Sequence, residues 1–184
     1  MSYDLWSRLR YVLSPQFDIY EQVAKKVFGK VIDVGCGTGF GTHILTRNAD
    51  FVLGLDIEEA AIRFAKRSFS NCKIKFDDFD VTASYTYEPY PYDFIVMIDV
   101  IEHIENDSEA IRNCTKLLKN AGTFICSTPN RLSRYRKSEY HVREYSPNEL
   151  RILMALVFNE VDIVNFQLKP IESEYENPII AICS

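Results

Sequence analysis

The run Val31-Ile32-Asp33-Val34-Gly35-Cys36-Gly37-Thr38-Gly39-Phe40-Gly41 constrains this chain more than any other part of it. Val31 to Val34 are apolar apart from Asp33 and read as a short buried strand. Three alternate glycines follow and lead into a helical pattern that opens near Phe40. Glycine reaches backbone angles closed to other residues and lets a ligand lie against the main chain. The first turn of a helix presents unpaired N–H groups. A strand, a tight glycine turn and a helix start therefore predict the ligand-binding corner of an open α/β sheet. The spacing restricts the ligand. A dinucleotide fingerprint reads G-x-G-x-x-G, and Phe40 stands where its third glycine belongs if Gly35 and Gly37 are the first two. Counting from Gly37 and Gly39 puts Thr42 there. No Gly-Lys-Ser/Thr follows, so the turn is not a phosphate loop.

The remaining chain alternates strand and helix patterns around that corner. Leu5, Trp6, Leu9, Val12 and Leu13 share one helical face, Ser14-Pro15 interrupts it, and Phe17, Tyr20, Val23 and Val27 form a second face with Gly29 as its expected C-terminal cap. Phe40, Ile44 and Leu45 mark a short helix. Phe51 to Leu55 is a second strand ending at Asp56, which lies 21 residues after Gly35. A carboxylate at about that distance accepts ribose hydroxyls in Rossmann-type sites. A helix over Glu58 to Ser68, a strand over Cys72 to Phe76, a Tyr/Pro-rich loop from Ser84 to Tyr92 and an apolar strand over Asp93 to Ile98 follow. Asp107 is the expected cap of a helix through Leu118, which Asn120-Ala121-Gly122 ends. Thr123 to Ser127 is the fifth strand. Ser146-Pro147-Asn148-Glu149 reads as a capping box with proline in the first turn. Val161 to Phe166 and Pro178 to Cys183 are the last two strands. The polar Gln167 to Asn177 between them is too short and too unpatterned for a parallel crossover, so this pair is expected to be an antiparallel hairpin.

Length sets one domain as the expectation for residues 1–184, with 1–28 as N-terminal helices and 29–184 as the core. A net charge of −5 argues against general binding to nucleic acid or membrane surfaces. The five cysteines form no C-x-x-C pair and suggest reduced thiols. No apolar run is long enough to span a bilayer and the N-terminus carries charges throughout, so a cytoplasmic protein is expected.

Asp33-x-Gly35-x-Gly37-x-Gly39 resembles motif I of the class I S-adenosylmethionine-dependent methyltransferases, and Asp99-Val100-Ile101-Glu102-His103-Ile104 resembles their motif IV. Within that family the chain looks like the type 11 and ubiquinone-pathway O-methyltransferases. Leu118 to Gly122, Ser127 to Asn130 and His141 to Ser146 resemble its later blocks. The resemblance implies a Rossmann-like α/β fold with a seven-stranded, mostly parallel sheet, helices on both faces and a reversed last strand. It implies S-adenosyl-L-methionine against Asp33, Gly35, Cys36, Gly37, Gly39 and Asp99, with Asp56 on its ribose, Ile57 against the adenine, and Asp80 and Val81 at the adenine amino group. Asp78 is the rival to Asp80. The first N-terminal helix would be a lid over this site.

The implied chemistry is attack by an acceptor atom on a methyl sulfonium. The protein must align donor and acceptor and, for an oxygen acceptor, help remove a proton. His103 is the expected base, since an unperturbed histidine titrates near pH ~6.5, with Glu102 beside it. The ubiquinone-pathway enzymes and the small-RNA terminal 2′-O-methyltransferases carry Glu-x-x-Glu-His, which holds Mg²⁺. Here Asp99, Glu102 and His103 match it, with the shorter Asp99 as the departure and His141 as a further ligand. Arg131, Arg134, Arg136, Lys137 and Arg143 form a basic loop suited to an anionic acceptor or simply to solvent. The expectation is an enzyme that O-methylates a small molecule. The competing readings are a metal-assisted RNA 2′-O-methyltransferase, a dinucleotide oxidoreductase and a non-catalytic binding module. The sequence leaves the acceptor, the oligomeric state and the use of metal open.

Overall fold

The computed structural model describes residues 15–83, 91–134 and 138–184. The expected helix over Leu5 to Leu13, with its lid role, lies outside the described residues, as do Ser84 to Tyr90, Arg136 and Lys137. In chain order the elements are α1 (Pro15–Ala24), β1 (Gly29–Val34), α2 (Phe40–Leu45), β2 (Ala49–Asp56), α3 (Glu59–Phe69), β3 (Ile74–Asp78) and β4 (Tyr92–Ile98). A 3₁₀ turn (Ile101–His103), α4 (Asp107–Thr115), β5 (Leu118–Thr128), α5 (Pro147–Met154), β6 (Val161–Val164) and β7 (Ile179–Cys183) complete the chain. No helix among the described residues is long and apolar enough to cross a membrane.

The strands form one seven-stranded sheet in the order β3-β2-β1-β4-β5-β7-β6. The first five run parallel. β7 lies antiparallel between β5 and β6, so the C-terminal hairpin expected from the short polar connection is present. Side chains alternate between the two faces of a strand, and β1 divides accordingly. Ile32 and Val34 face a core built with Ala110 and Ile111 of α4 and Leu150 and Met154 of α5. Val31 faces a second core with Ile19 and Val23 of α1 and Ile44 and Leu45 of α2. A smaller cluster seats Ile62 and Ala65 of α3 on Ile74 and Phe76 of β3. Burial on both faces explains why β4 reads as a continuous apolar run.

Several boundaries differ from the sequence reading. α1 ends at Ala24, whose carbonyl accepts a bond of 2.7 Å from Asn48 Nδ2, and Gly29 opens β1 instead of capping a helix. β3 begins at Ile74 because the Asn71 side chain builds a turn, accepting from the Lys73 N–H at 2.8 Å. α4 stops at Thr115. The residues expected to end it join β5 as a bulge, in which Tyr92 pairs with Leu118 and Phe94 with Thr123. Asp107 begins α4 without capping it. Its carboxylate accepts from Arg143 and Tyr145, and Asn106 holds the cap position with no side-chain bond. The Ser146 capping box forms as expected, with Glu149 as its partner, although α5 ends at Met154, earlier than its apolar stripe.

Candidate active site

The strand order reverses between β1 and β4, and an open α/β sheet binds ligands outside the carboxyl ends of its strands at such a point. The glycine turn leaves β1 there. The N–H groups of Gly35 and Cys36 both donate to the Leu55 carbonyl, at 2.7 and 3.0 Å, which ties the turn to β2. Gly35 has φ +70° and lies so close to Val100 that a β-carbon would collide with it. Gly37 has φ +52° and faces open space. Its N–H donates to Asp56 Oδ2 at 2.7 Å, while Glu58 N–H donates to Oδ1 at 2.8 Å. Two backbone donors therefore fix the Asp56 carboxylate at the end of β2.

A cavity of about 570 Å³ opens beside this turn, lined by Gly35, Asp56, Ile57, Asp80, Val81, Asp99 and His103 among others. A second cavity of about 230 Å³ is lined by Gln16 and Tyr20 of α1, by Cys36, Gly37 and Thr38, and again by Gly35 and Asp99. Gly35 and Asp99 are common to both. Asp80, not Asp78, reaches the larger cavity, and Thr82 steadies its carboxylate through N–H and Oγ1 bonds of 2.8 and 2.7 Å.

Asp33 lines neither cavity. It is fully buried beneath the turn, accepting from Tyr20 of α1 at 2.8 Å and Thr42 of α2 at 2.6 Å. Burial raises its carboxyl from the ordinary 3.8 to about 7, with those two bonds opposing the rise and the charge of Asp56 adding to it. Gly39 also stands outside both cavities, at the N-terminus of α2 with φ +86°. The Cys36 thiol is pushed up by burial and stays protonated.

At the end of β4, Asp99 adopts φ +53°, a left-handed conformation uncommon outside glycine. Its carboxylate accepts from Ser127 Oγ of β5 at 2.7 Å and bonds to Gln16 of α1. Burial raises this carboxyl despite both bonds. The next turn carries Glu102, only 1% exposed, whose Oε2 accepts from Thr128 Oγ1 at 3.0 Å. Burial, and after it the charge of Asp99, pushes the Glu102 carboxyl up to about 8. His103 is exposed and lines the larger cavity. Its Nδ1 lies 3.0 Å from the Tyr140 carbonyl. A carbonyl only accepts, so Nδ1 carries a proton, and in the neutral ring the lone pair is then on Nε2.

The segment after β5 returns to this turn. Val142 and Arg143 donate their N–H groups to the Glu102 carbonyl at 2.8 and 3.2 Å. Asp107 holds Arg143 at 2.9 Å and the Tyr145 hydroxyl at 2.8 Å, with the Arg143 guanidinium 4.9 Å from the centre of the Tyr145 ring. This clamp brings His141 to His103, ring centres 5.0 Å apart. One ligand atom from each of Glu102, His103 and His141 falls within 4.8 Å of the others. Asp99 is not part of that group. Among the basic residues, Arg143 is committed to Asp107 and Arg131 to Glu149 at 2.9 Å. The Arg131 bond and those from Ser146 hold the Glu149 carboxyl down to about 2. The sequence reading does not single out Gln16, Ser127, Thr128 and Glu144 as site residues. Ser127 and Thr128 stand at the carboxyl end of the strand next to β4, and the strand-end rule would have flagged them.

Residues 25–173 match the model of a family described as a methyltransferase domain. The chain belongs to the class I S-adenosylmethionine-dependent methyltransferases. Within that family it is 27% identical over 150 residues to a probable S-adenosylmethionine-dependent methyltransferase of Mycolicibacterium smegmatis, a match that covers 78% of this chain and 57% of that protein. It is 32% identical over 127 residues to the ubiquinone biosynthesis O-methyltransferase of Vibrio cholerae, covering 67% of this chain and 49% of that one. The chain thus spans about half the length of the curated relatives it matches. The fold is shared with an S-adenosylmethionine-dependent methyltransferase from Clostridium acetobutylicum, with a TM-score of 0.77 at 15% identity over 97% of this chain and 98% of that one.

Proposed function

We propose that the chain transfers a methyl group from S-adenosylmethionine to a hydroxyl oxygen of a small molecule. The observation that carries this reading is the junction at Gly35 and Asp99, which line both cavities, with His103 on the wall of the larger one. The residues present fit the cofactor. Gly37 leaves space that a side chain would fill, and the fixed Asp56 carboxylate faces the larger cavity at the position suited to ribose hydroxyls. Ile57, Asp80 and Val81 would hold the adenine, and Gln16 and Tyr20 the methionine end. When bound, the cofactor supplies a methyl group already activated on its sulfonium. His103, whose Nδ1 is held by the Tyr140 carbonyl, would take the proton from the acceptor hydroxyl on Nε2. The likeness to ubiquinone biosynthesis O-methyltransferases supports an oxygen acceptor.

Calorimetric titration with S-adenosylmethionine, S-adenosylhomocysteine and NAD tests the cofactor. Binding of the first two and not the third is expected, and the reverse order would overturn the reading. Mass spectrometry of products from metabolite and RNA extracts then tests the acceptor. Methylation confined to RNA would overturn the small-molecule assignment.

The convergence of Glu102, His103 and His141 favours a second reading, in which a divalent cation orients the acceptor. Two imidazoles and one carboxylate suit a borderline ion such as Mn²⁺ or Fe²⁺ better than Mg²⁺. Turnover that is unchanged by chelator and by added Mn²⁺ or Mg²⁺ would eliminate this reading.

A further inference from the structure

His141 differs from His103 in what holds it. The His103 ring rests on a backbone carbonyl, whereas His141 Nδ1 lies 3.0 Å from Glu144 Oε1. Both side chains of that pair are largely withdrawn from water, at 11% and 6% exposure. A carboxylate accepts and does not donate when ionised, so Glu144 places the His141 proton on Nδ1 and leaves the lone pair on Nε2. The pair also sits in a fixed frame. The intervening Val142 and Arg143 are bonded to the Glu102 carbonyl, and Arg143 and Tyr145 are both held by Asp107. His141 therefore has its ring supported by the segment that carries it, and one of its ring nitrogens belongs to the group formed with Glu102 and His103; with Nδ1 turned to Glu144, Nε2 is the nitrogen left for that group.

We propose that Glu144 is a positioning residue of this methyl-transfer centre, acting through His141 by fixing its tautomer and ring orientation. The inference rests on the functional reading above and holds whether His141 accepts a proton or binds a cation, because both need the lone pair on Nε2. A carboxylate behind a histidine gives the ring orientation and added basicity in metal and acid–base sites alike. It also gives the segment from Tyr140 to Tyr145 a specific task. Its carbonyl at Tyr140 sets the tautomer of one histidine and its Glu144 carboxylate sets that of the other.

The decisive variant is Glu144→Gln, which keeps the shape but lets an amide N–H₂ donate to Nδ1 and so permits the Nε2–H tautomer. Ring-nitrogen chemical shifts from ¹⁵N-labelled protein read the tautomer without any acceptor. The wild type should show Nδ1–H at His141, and Glu144→Gln should populate Nε2–H. Methyl incorporation from labelled S-adenosylmethionine into a metabolite extract should fall by roughly 10- to 100-fold, with cofactor affinity within about 2-fold of wild type, since Glu144 lines neither cavity. Glu144→Asp, which retains the carboxylate, should recover the Nδ1–H tautomer and part of the turnover. Three results would overturn the proposal: Nε2–H at His141 in the wild type, an unchanged tautomer in Glu144→Gln, or turnover that falls only in step with cofactor affinity. If the wild type neither binds S-adenosylmethionine nor transfers methyl groups, the functional reading fails, while the tautomer measurement still decides the role of Glu144 toward His141.

Discussion

Replacing Asp33 with asparagine should change the pH dependence of stability in a direction the structure specifies. The buried carboxyl titrates at about 7 in the folded protein against an ordinary 3.8. Between those values the folded state holds a proton that the unfolded chain has released, so stability declines as pH rises across that window and levels off above about 7. At 1.36 kcal/mol per pH unit of difference, the ionisable group costs roughly 4 kcal/mol by pH 8 relative to pH 3.5. The asparagine side chain cannot ionise. It keeps one oxygen for Thr42 or Tyr20 and turns an N–H₂ toward the other hydroxyl, which adds a pH-independent loss of about 1–3 kcal/mol. The assay is urea denaturation of Asp33→Asn and wild type at matched pH values from 4 to 8. The variant should be the less stable protein at the acid end and should gain on the wild type as pH rises. Glu102, raised to about 8, contributes its own slope to both proteins and cancels in the difference. Parallel stability curves, within about 1 kcal/mol across the range, would refute the account of Asp33 as an ionisable group sealed beneath the glycine turn.

Asp56→Ala removes the acceptor of two backbone N–H groups as well as the expected ribose contact. At ~1.5–3 kcal/mol for a charged hydrogen bond, S-adenosylmethionine should bind about 10- to 100-fold more weakly by calorimetry; affinity within 2-fold of wild type would sink the assignment. Ser146→Ala breaks the capping box of α5 and should cost about 0.5–2 kcal/mol in urea denaturation. It should leave cofactor affinity unchanged, because that helix start lies away from both cavities.

The sequence makes the architecture legible where patterns are local. The strand–turn–helix corner, the apolar β4, the capping box and the antiparallel hairpin all come from neighbouring residues or from the length of a connection. β5 is misread because Leu118 to Gly122 looks like a helix end, and only pairing with Tyr92 and Phe94 turns it into a bulged strand. Motif spacing assigns Asp33 to the cofactor. Its alternation with Val31 puts its carboxylate on the face that α1 and α2 cover, where Tyr20 and Thr42 meet it. The meeting of His141 with Glu102 and His103 enters the sequence reading only through the family resemblance, because no local pattern links positions 38 apart in the chain. The clamp through Asp107 is a long-range contact that no periodicity announces. For the same reason the sequence does not show that Arg131 and Arg143 are paired, as their partners Glu149 and Asp107 lie elsewhere in the chain.

Asp99 sets backbone comfort against its side chain's duties. A left-handed backbone disfavours any β-carbon, by about 1–2 kcal/mol, and glycine would relieve that strain. Yet this side chain tethers α1, through Gln16, to β5, through Ser127, across the seam between the cavities. Asp99→Gly should therefore separate two properties that usually fall together: it relaxes the main chain while releasing α1 from β5 beside the cavities.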